Sequence, residues 1–219
     1  MNEWQQEPWQ EDPLFQEPKK KFNIKTSDLV FLAVCIVFIA AVFIFRGWWR
    51  NHYGGVIVVG SSMRETLHDQ DELFVRYSLD GTEAQRGDVI VVYVGDYEEC
   101  ADMQGKYIIK RLIAIEGDKV RCTDGQVEIC YAGTQEYVPL DEPYAYYGDY
   151  REEYDFAEYE LKENEIFFLG DNRSQKGSSI DSRYQENQSH LNYLYQEKDI
   201  FGVVPQWAIE CKSICKIFI

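Results

Sequence analysis

The chain is short of the side chains that most often do acid–base work at neutral pH. It has only three histidines, His52, His68 and His190. They are scattered, and no H-E-x-x-H pattern joins them into a metal site. The acidic residues are many but lack calcium-loop spacing, and no glycine-rich phosphate loop is present. Cations are also scarce: 22 Lys and Arg stand against 38 Asp and Glu, a formal charge of −16. Such a surface repels phosphate backbones, which excludes nucleic acid as a partner, and it disfavours broad docking on anionic lipid. No internal repeat is visible. The residues point to no metal and no cofactor.

What is present divides the 219 residues into unequal parts. Residues 1–28 are polar, rich in Gln, Glu and Pro, and without periodicity, as expected of a disordered tail. Leu29 to Phe45, "LVFLAVCIVFIAAVFIF", is an unbroken apolar run. Its length is at the short end of the ~17–25 residues that cross a bilayer. Thr26, Ser27 and Asp28 offer helix-start chemistry, and Trp48 and Trp49 suit the interface. A cleaved signal peptide would have small residues after the run, whereas Arg46-Gly47-Trp48-Trp49-Arg50 follows here. The expectation is therefore a retained transmembrane helix over 29–47. Lys19, Lys20, Lys21 and Lys25 precede it against Arg46 and Arg50 after it. By the positive-inside rule the tail is cytoplasmic and residues 48–219 are extracytoplasmic, in a single-pass protein of the cell membrane.

The outer part reads as β. "GGVIVVG", "DELFVRY", "DVIVVYV", "YIIKRLIAI", "KVRC", "QVEIC" and "EIFFLG" are short runs of β-branched and aromatic residues, punctuated by Gly and Asp. A helical period shows only in a short piece near His190–Gln196. The expected fold is mainly β, an antiparallel sheet or barrel-like domain after one N-terminal helix. Residues 131–165 are acidic and tyrosine-rich, and are expected to form a peripheral insertion. The Asp124-Gly125 turn sets Cys122 opposite Val127 rather than Cys130. Five of the six cysteines lie outside the apolar run, an odd number; one or two disulfides are expected if the outside is oxidising, with Cys100 left single.

The serine pair of "GSSMRETL", Gly60 to Leu67, raises the question of what could activate a hydroxyl. His68 and Asp69 are near in sequence, but triad members meet in space, and sequence neighbours seldom face each other properly. Lys110 is the other base to consider. It lies inside "YIIKRLIAI", where a lysine either snorkels to water or is buried and loses its proton.

Four stretches then occur in order: "SSMRETL", "RGDVIVVY" (Arg86–Tyr93), "YIIKRLIAIEGD" and "GDNRSQKGSSIDSR" (Gly170–Arg183). With the apolar run before them they resemble the boxes of the bacterial type I signal peptidases, of the Gram-positive-like single-anchor type. These are membrane-anchored Ser/Lys endopeptidases that remove signal peptides after small, Ala-x-Ala-like residues. The resemblance implies Ser62 as nucleophile and Lys110 as general base, with Ser179 bonded to the lysine amine. It implies Met63 packed behind the nucleophile, and Asp171, Asp181 and Arg183 as buttresses, with Arg111 a partner for their charges. Gly60 matches the glycine of Gram-positive-type enzymes, which leaves the oxyanion to backbone N–H groups, including that of Ser62. An extended substrate would add to strands near Val58–Gly60 and Tyr107–Ile109, with Val58 and Ile109 lining the pockets. The implied partners are signal-peptide-bearing preproteins and the lipid bilayer, with the secretion translocon a further candidate.

Free lysine titrates near 10.4, and lowering that by about 3 pH units takes roughly 4 kcal/mol. Desolvation must supply it against the negative charge of the chain. Three departures stand out. Glu65 and Glu116 replace family prolines, and seven residues rather than four separate Arg173 from Asp181, which makes Ser178 a competitor of Ser179. Two further readings remain at this stage: a non-catalytic or specialised pilus-assembly factor on the same fold, and a serine peptidase using His68.

Overall fold

The computed structural model describes residues 25–78, 81–95, 105–174 and 195–212. The chain forms two units, Met1–Gly47 and Trp48–Ile219. One helix, α1 (Thr26–His52), begins in the first unit. It is long and apolar enough to cross a membrane, and none of its residues is buried.

The second unit is mainly antiparallel β. One sheet of six strands runs β1 (Tyr53–Ile57), β2 (Glu72–Tyr77), β10 (Ile200–Val204), β3 (Val89–Tyr93), β4 (Tyr107–Ala114) and β9 (Phe167–Leu169). A second sheet of four runs β7 (Val138–Pro139), β6 (Gln126–Cys130), β5 (Lys119–Thr123) and β8 (Phe156–Glu160). Among the described residues every strand pairing is antiparallel, and neither sheet closes into a barrel. A five-residue helix, α2 (Gln206–Glu210), follows β10.

Successive strand side chains point to opposite faces. On β3 this sends Val89 and Val91 into one cluster, with Met63, Leu67, Leu73 and Val75, and Ile90 and Val92 into another, with Ile108, Leu112 and Phe168. Both faces are buried, which is why this strand reads as a continuous apolar run. A third cluster lies under the second sheet. Ile113 and Ala114 at the end of β4 reach it, so the longest strand is shared between cores.

The β5–β6 hairpin turns at Asp124 (φ 50°) and Gly125 (φ 69°), the two left-handed residues of a type I′ turn. A Cβ on Gly125 would lie 2.4 Å from the Arg151 carbonyl oxygen, so only glycine fits. Cys122 pairs with Val127 across this hairpin, as the turn requires, and Cys130 pairs with Lys119. Of the outer cysteines for which disulfides are expected, Cys122, Cys130 and Cys211 are thiols among the described residues. The hairpin register holds Cys122 and Cys130 apart, and the Cys122 thiol donates to the Tyr154 carbonyl instead. Cys100 and Cys215 lie outside the described residues.

Asp118 ties the two sheets together. It is fully buried and accepts a bidentate pair from Arg86 at 2.6 and 2.8 Å. It also takes the N–H groups of Ile115 and Ala132. Glu116 accepts the Asn164 N–H at 3.0 Å, so the carboxylate cross-links two loops. Residues 131–165 supply β7 and β8 and bury Tyr147, Tyr154 and Phe156 in the second sheet's core.

Candidate active site

Ser62 sits in the turn after β1, and the segment is held at both ends. The Val58 N–H donates to the Asp71 carbonyl and the Gln70 N–H to the Val58 carbonyl, each at 2.8 Å. The Asp69 carboxylate takes the Gly60 N–H at 2.8 Å, and Gly60 needs its left-handed φ of 94° to make the bend. Inside the segment, the Leu67 N–H donates to the Met63 carbonyl at 2.7 Å. Met63 (2% exposed) and Leu67 (0%) pin the turn into the core. Ser62 remains half-buried beside a groove of about 800 Å³.

Lys110 comes from the middle of β4 and is 1% exposed. It lines the same groove as Ser62, with Val58, Met63 and Ile109. The structure thus brings together Ser62, Met63, Lys110, Val58 and Ile109. His68 does not line this groove. Its side chain is 67% exposed and lies 4.0 Å from Asp71.

The next residue on β4, Arg111, projects the other way. Its Nε and Nη2 donate to the two oxygens of Asp171 at 2.8 and 2.6 Å. Nη1 donates to the Gly87 carbonyl at 2.7 Å, and Nη2 also donates to Thr66 Oγ1. The Thr66 hydroxyl in turn donates to Asp171 at 2.5 Å. Thr66 belongs to the serine's own turn, so the ion pair grips the segment that carries Ser62. The Tyr144 ring lies 3.8 Å from the guanidinium. Burial pushes the Tyr144 phenol above its ordinary range, which keeps it neutral there.

Asn172 gives a second grip. Its N–H donates to the Ser62 carbonyl at 3.0 Å, and its side-chain amide donates to the Ser61 carbonyl at 3.0 Å. Ser174 orients that amide by donating to Oδ1 at 2.7 Å. Gly170 packs so closely that a Cβ there would lie 2.6 Å from the Ser62 carbonyl oxygen. Sequence reasoning singled out neither Thr66, Asn172, Tyr144 nor Lys212. The Asp-Asn pair of "GDN" was the available signal for Asn172. Ser179, Asp181 and Arg183 lie outside the described residues.

Lys212, just past α2, donates to the Thr66 carbonyl at 2.6 Å and pairs with Asp71 at 2.9 Å. Burial of Asp71 works against its charge, yet the His68 N–H and the Lys212 ammonium hold its carboxyl below the usual range. A carboxyl whose folded value is depressed contributes stability above its unfolded pKa, about 3.9, and loses it as pH falls through the folded value. Between pH 5 and pH 3 the urea midpoint of the wild type is expected to fall further than that of Asp71→Asn. Parallel curves for the two proteins would remove Asp71 from the acid response.

Glu65 has φ 78°, a left-handed conformation that proline, locked near −65°, does not reach. The turn after the serine is therefore built differently from a proline turn, with Glu65 exposed and its carboxylate 3.5 Å from Arg64. Glu65→Pro, which would restore the family pattern, is expected to cost more than about 1 kcal/mol, whereas Glu65→Gly is tolerated. Denaturant titration of both variants checks this; a stabilised Glu65→Pro would contradict the geometry.

Comparison with known proteins bears on the family of the chain. The family described as signal peptidase, peptidase S26, matches residues 24–217. Signal peptidase I P of Bacillus subtilis subsp. natto is 28% identical over 191 residues, covering 86% of this chain and 90% of that protein. Signal peptidase I U of Bacillus subtilis (strain 168) is 31% identical over 175 residues, covering 75% and 80%. A crystal structure of a signal peptidase I from Enterococcus faecalis V583 aligns with 57% of this chain and 98% of its own, at 22% identity and a TM-score of 0.39. With a groove that joins a turn serine to a buried strand lysine, and a family match running almost from end to end, the chain belongs to the signal peptidases of peptidase family S26 and is a hydrolase of signal-peptide-bearing preproteins.

Proposed function

We propose that the chain is a membrane-anchored serine endopeptidase in which Ser62 attacks the scissile carbonyl and Lys110 is the general base. The observation that carries this reading is that the two residues line one groove while Lys110 is 1% exposed. Removing an amine from water disfavours its charged form, which is the condition for a lysine to act as base at neutral pH. Neutral Lys110 takes the Ser62 proton as the Oγ–carbon bond forms. It returns that proton to the departing amine and then activates water against the acyl-enzyme.

The Gly60 N–H is already committed to Asp69. The oxyanion is therefore assigned to the Ser62 N–H and its neighbours in the turn. By their place in the family motif, Ser179 is assigned to the lysine amine, and Asp181 and Arg183 to buttressing the site. The substrate peptide lies extended along the groove, with Val58 and Ile109 shaping pockets for the small residues one and three positions before the cut. The helix α1 anchors the enzyme, and the lysines preceding it place the tail in the cytoplasm and the groove on the outer side of the cell membrane.

Cleavage of a preprotein with an Ala-x-Ala site, in detergent, is expected to fall by at least about a thousandfold in both Ser62→Ala and Lys110→Met. Methionine keeps the lysine's volume without a base. The wild-type rate is expected to fall on the acid side as the amine becomes protonated. Turnover that survives Lys110→Met would overturn the dyad, and loss in His68→Ala alone would move the base to the histidine.

A further inference from the structure

The groove does not end at the small-residue pockets. Its lining runs on along β1 to Gly54 and Gly55 and along β4 to Tyr107, and it includes Tyr77 and Phe201. These rings belong to a row that crosses four neighbouring strands: Tyr77 on β2, Phe201 on β10, Tyr93 on β3 and Tyr107 on β4. Ring centroids lie 5.2 Å apart for Tyr77 and Phe201, 4.7 Å for Phe201 and Tyr107, and 5.2 Å for Tyr107 and Tyr93. The row is open to solvent, with Tyr107 at 52% and Tyr77 and Tyr93 at 37% exposed. Gly54 makes room for it, since a Cβ there would lie 2.1 Å from the Tyr77 hydroxyl oxygen.

We propose that this aromatic row is a specificity subsite for a large apolar side chain at the fifth residue before the cut. The inference rests on the signal-peptidase reading above and adds a position to it. The chemistry along the groove follows the chemistry along a signal peptide. Such a peptide carries an apolar segment and then small residues at the cleavage site. The groove carries an apolar aromatic surface, then Val58 and Ile109, then Ser62 and Lys110.

Spacing selects the position. Tyr107 precedes Lys110 by three residues on β4, roughly 10 Å in an extended strand, so a paired peptide with its first residue at the dyad brings its fourth residue level with Tyr107 and its fifth onto the rings just beyond. Side chains that share a face alternate, so the residues one, three and five before the cut point the same way. The fifth is the first of these to lie beyond the small pockets and over the rings. A large apolar side chain there would be covered by stacked aromatic surface, whereas a small polar one leaves that surface wet.

The test uses the full chain in detergent with two preprotein peptides. Both carry Ala one and three residues before the cut, and they differ only in Leu or Ser at the fifth. The wild type is expected to favour the Leu peptide by about tenfold in kcat/KM, mostly through KM. Phe201→Ala and Tyr107→Ser are each expected to reduce that ratio to about two. The ratio is internal to each protein, so lower overall turnover in a variant does not blur it, and Tyr107 is exposed enough to be replaced without disturbing the core. A wild type that cuts both peptides equally overturns the subsite and leaves the peptidase reading standing. A ratio that stays near ten in both variants assigns the row to folding or lipid contact and also overturns it. A wild type that cuts neither peptide overturns both readings.

Discussion

The buried pair between Arg111 and Asp171 is the constraint from which the rest of the site is set. Such a pair adds little net stability, because desolvation offsets most of the attraction, but it is costly to break and strict in geometry. The planar guanidinium meets the carboxylate through two parallel bonds, a fit that lysine lacks. Three segments converge on it. β4 supplies Arg111, the loop after β9 supplies Asp171, and the serine's turn supplies Thr66, bonded to both. Lys110 lines the groove while its neighbour Arg111 reaches Asp171, and the residue after Asp171 holds the carbonyls of Ser61 and Ser62. One ion pair thereby relates Lys110 to the Ser62 turn without touching either side chain.

The pairing also answers an electrostatic problem. The chain carries a formal charge of −16, and every unpaired carboxylate near Lys110 would favour its ammonium form. A bare carboxylate about 6 Å from the amine, at an effective dielectric near 20, would stabilise that form by about 3 kcal/mol. That is most of the roughly 4 kcal/mol that neutralising the lysine takes. Asp171 is neutralised by Arg111, Asp118 by Arg86 and Glu142 by Arg173. These three carboxylates are thus paired with arginines, and Val58, Met63 and Ile109 line the groove with Lys110.

Much of this was legible in the residues. All seven β-rich runs became strands, because β-branched and aromatic clusters between Gly and Asp turns report a pleated, buried surface. The Asp124-Gly125 turn fixed the hairpin register, and the motif order pointed to the Ser62 turn and to Lys110. The harder parts depend on contacts that leave no periodic trace. Residues 131–165 form two strands whose links are stacked Arg–Tyr pairs, such as Arg121 over Tyr137 at 3.9 Å, and these look in the sequence like a polar insertion. Tyr144 against Arg111, Asn172 against Ser61 and Lys212 against Thr66 join positions far apart in the chain. Glu65 reads as a simple loss of proline stiffness, but the structure gives it a left-handed backbone of its own.

The Arg111–Asp171 pair is inferred to hold Lys110 and the Ser62 turn in register. A double-mutant cycle on kcat with Arg111→Met, Asp171→Leu and the double variant tests it most directly, with folding checked by denaturation. Each single change is expected to lower kcat by about a hundredfold or more, and the double change to cost far less than the product of the two, because they remove one shared interaction. Near wild-type kcat in a folded Arg111→Met protein, or independent multiplicative losses, would contradict it.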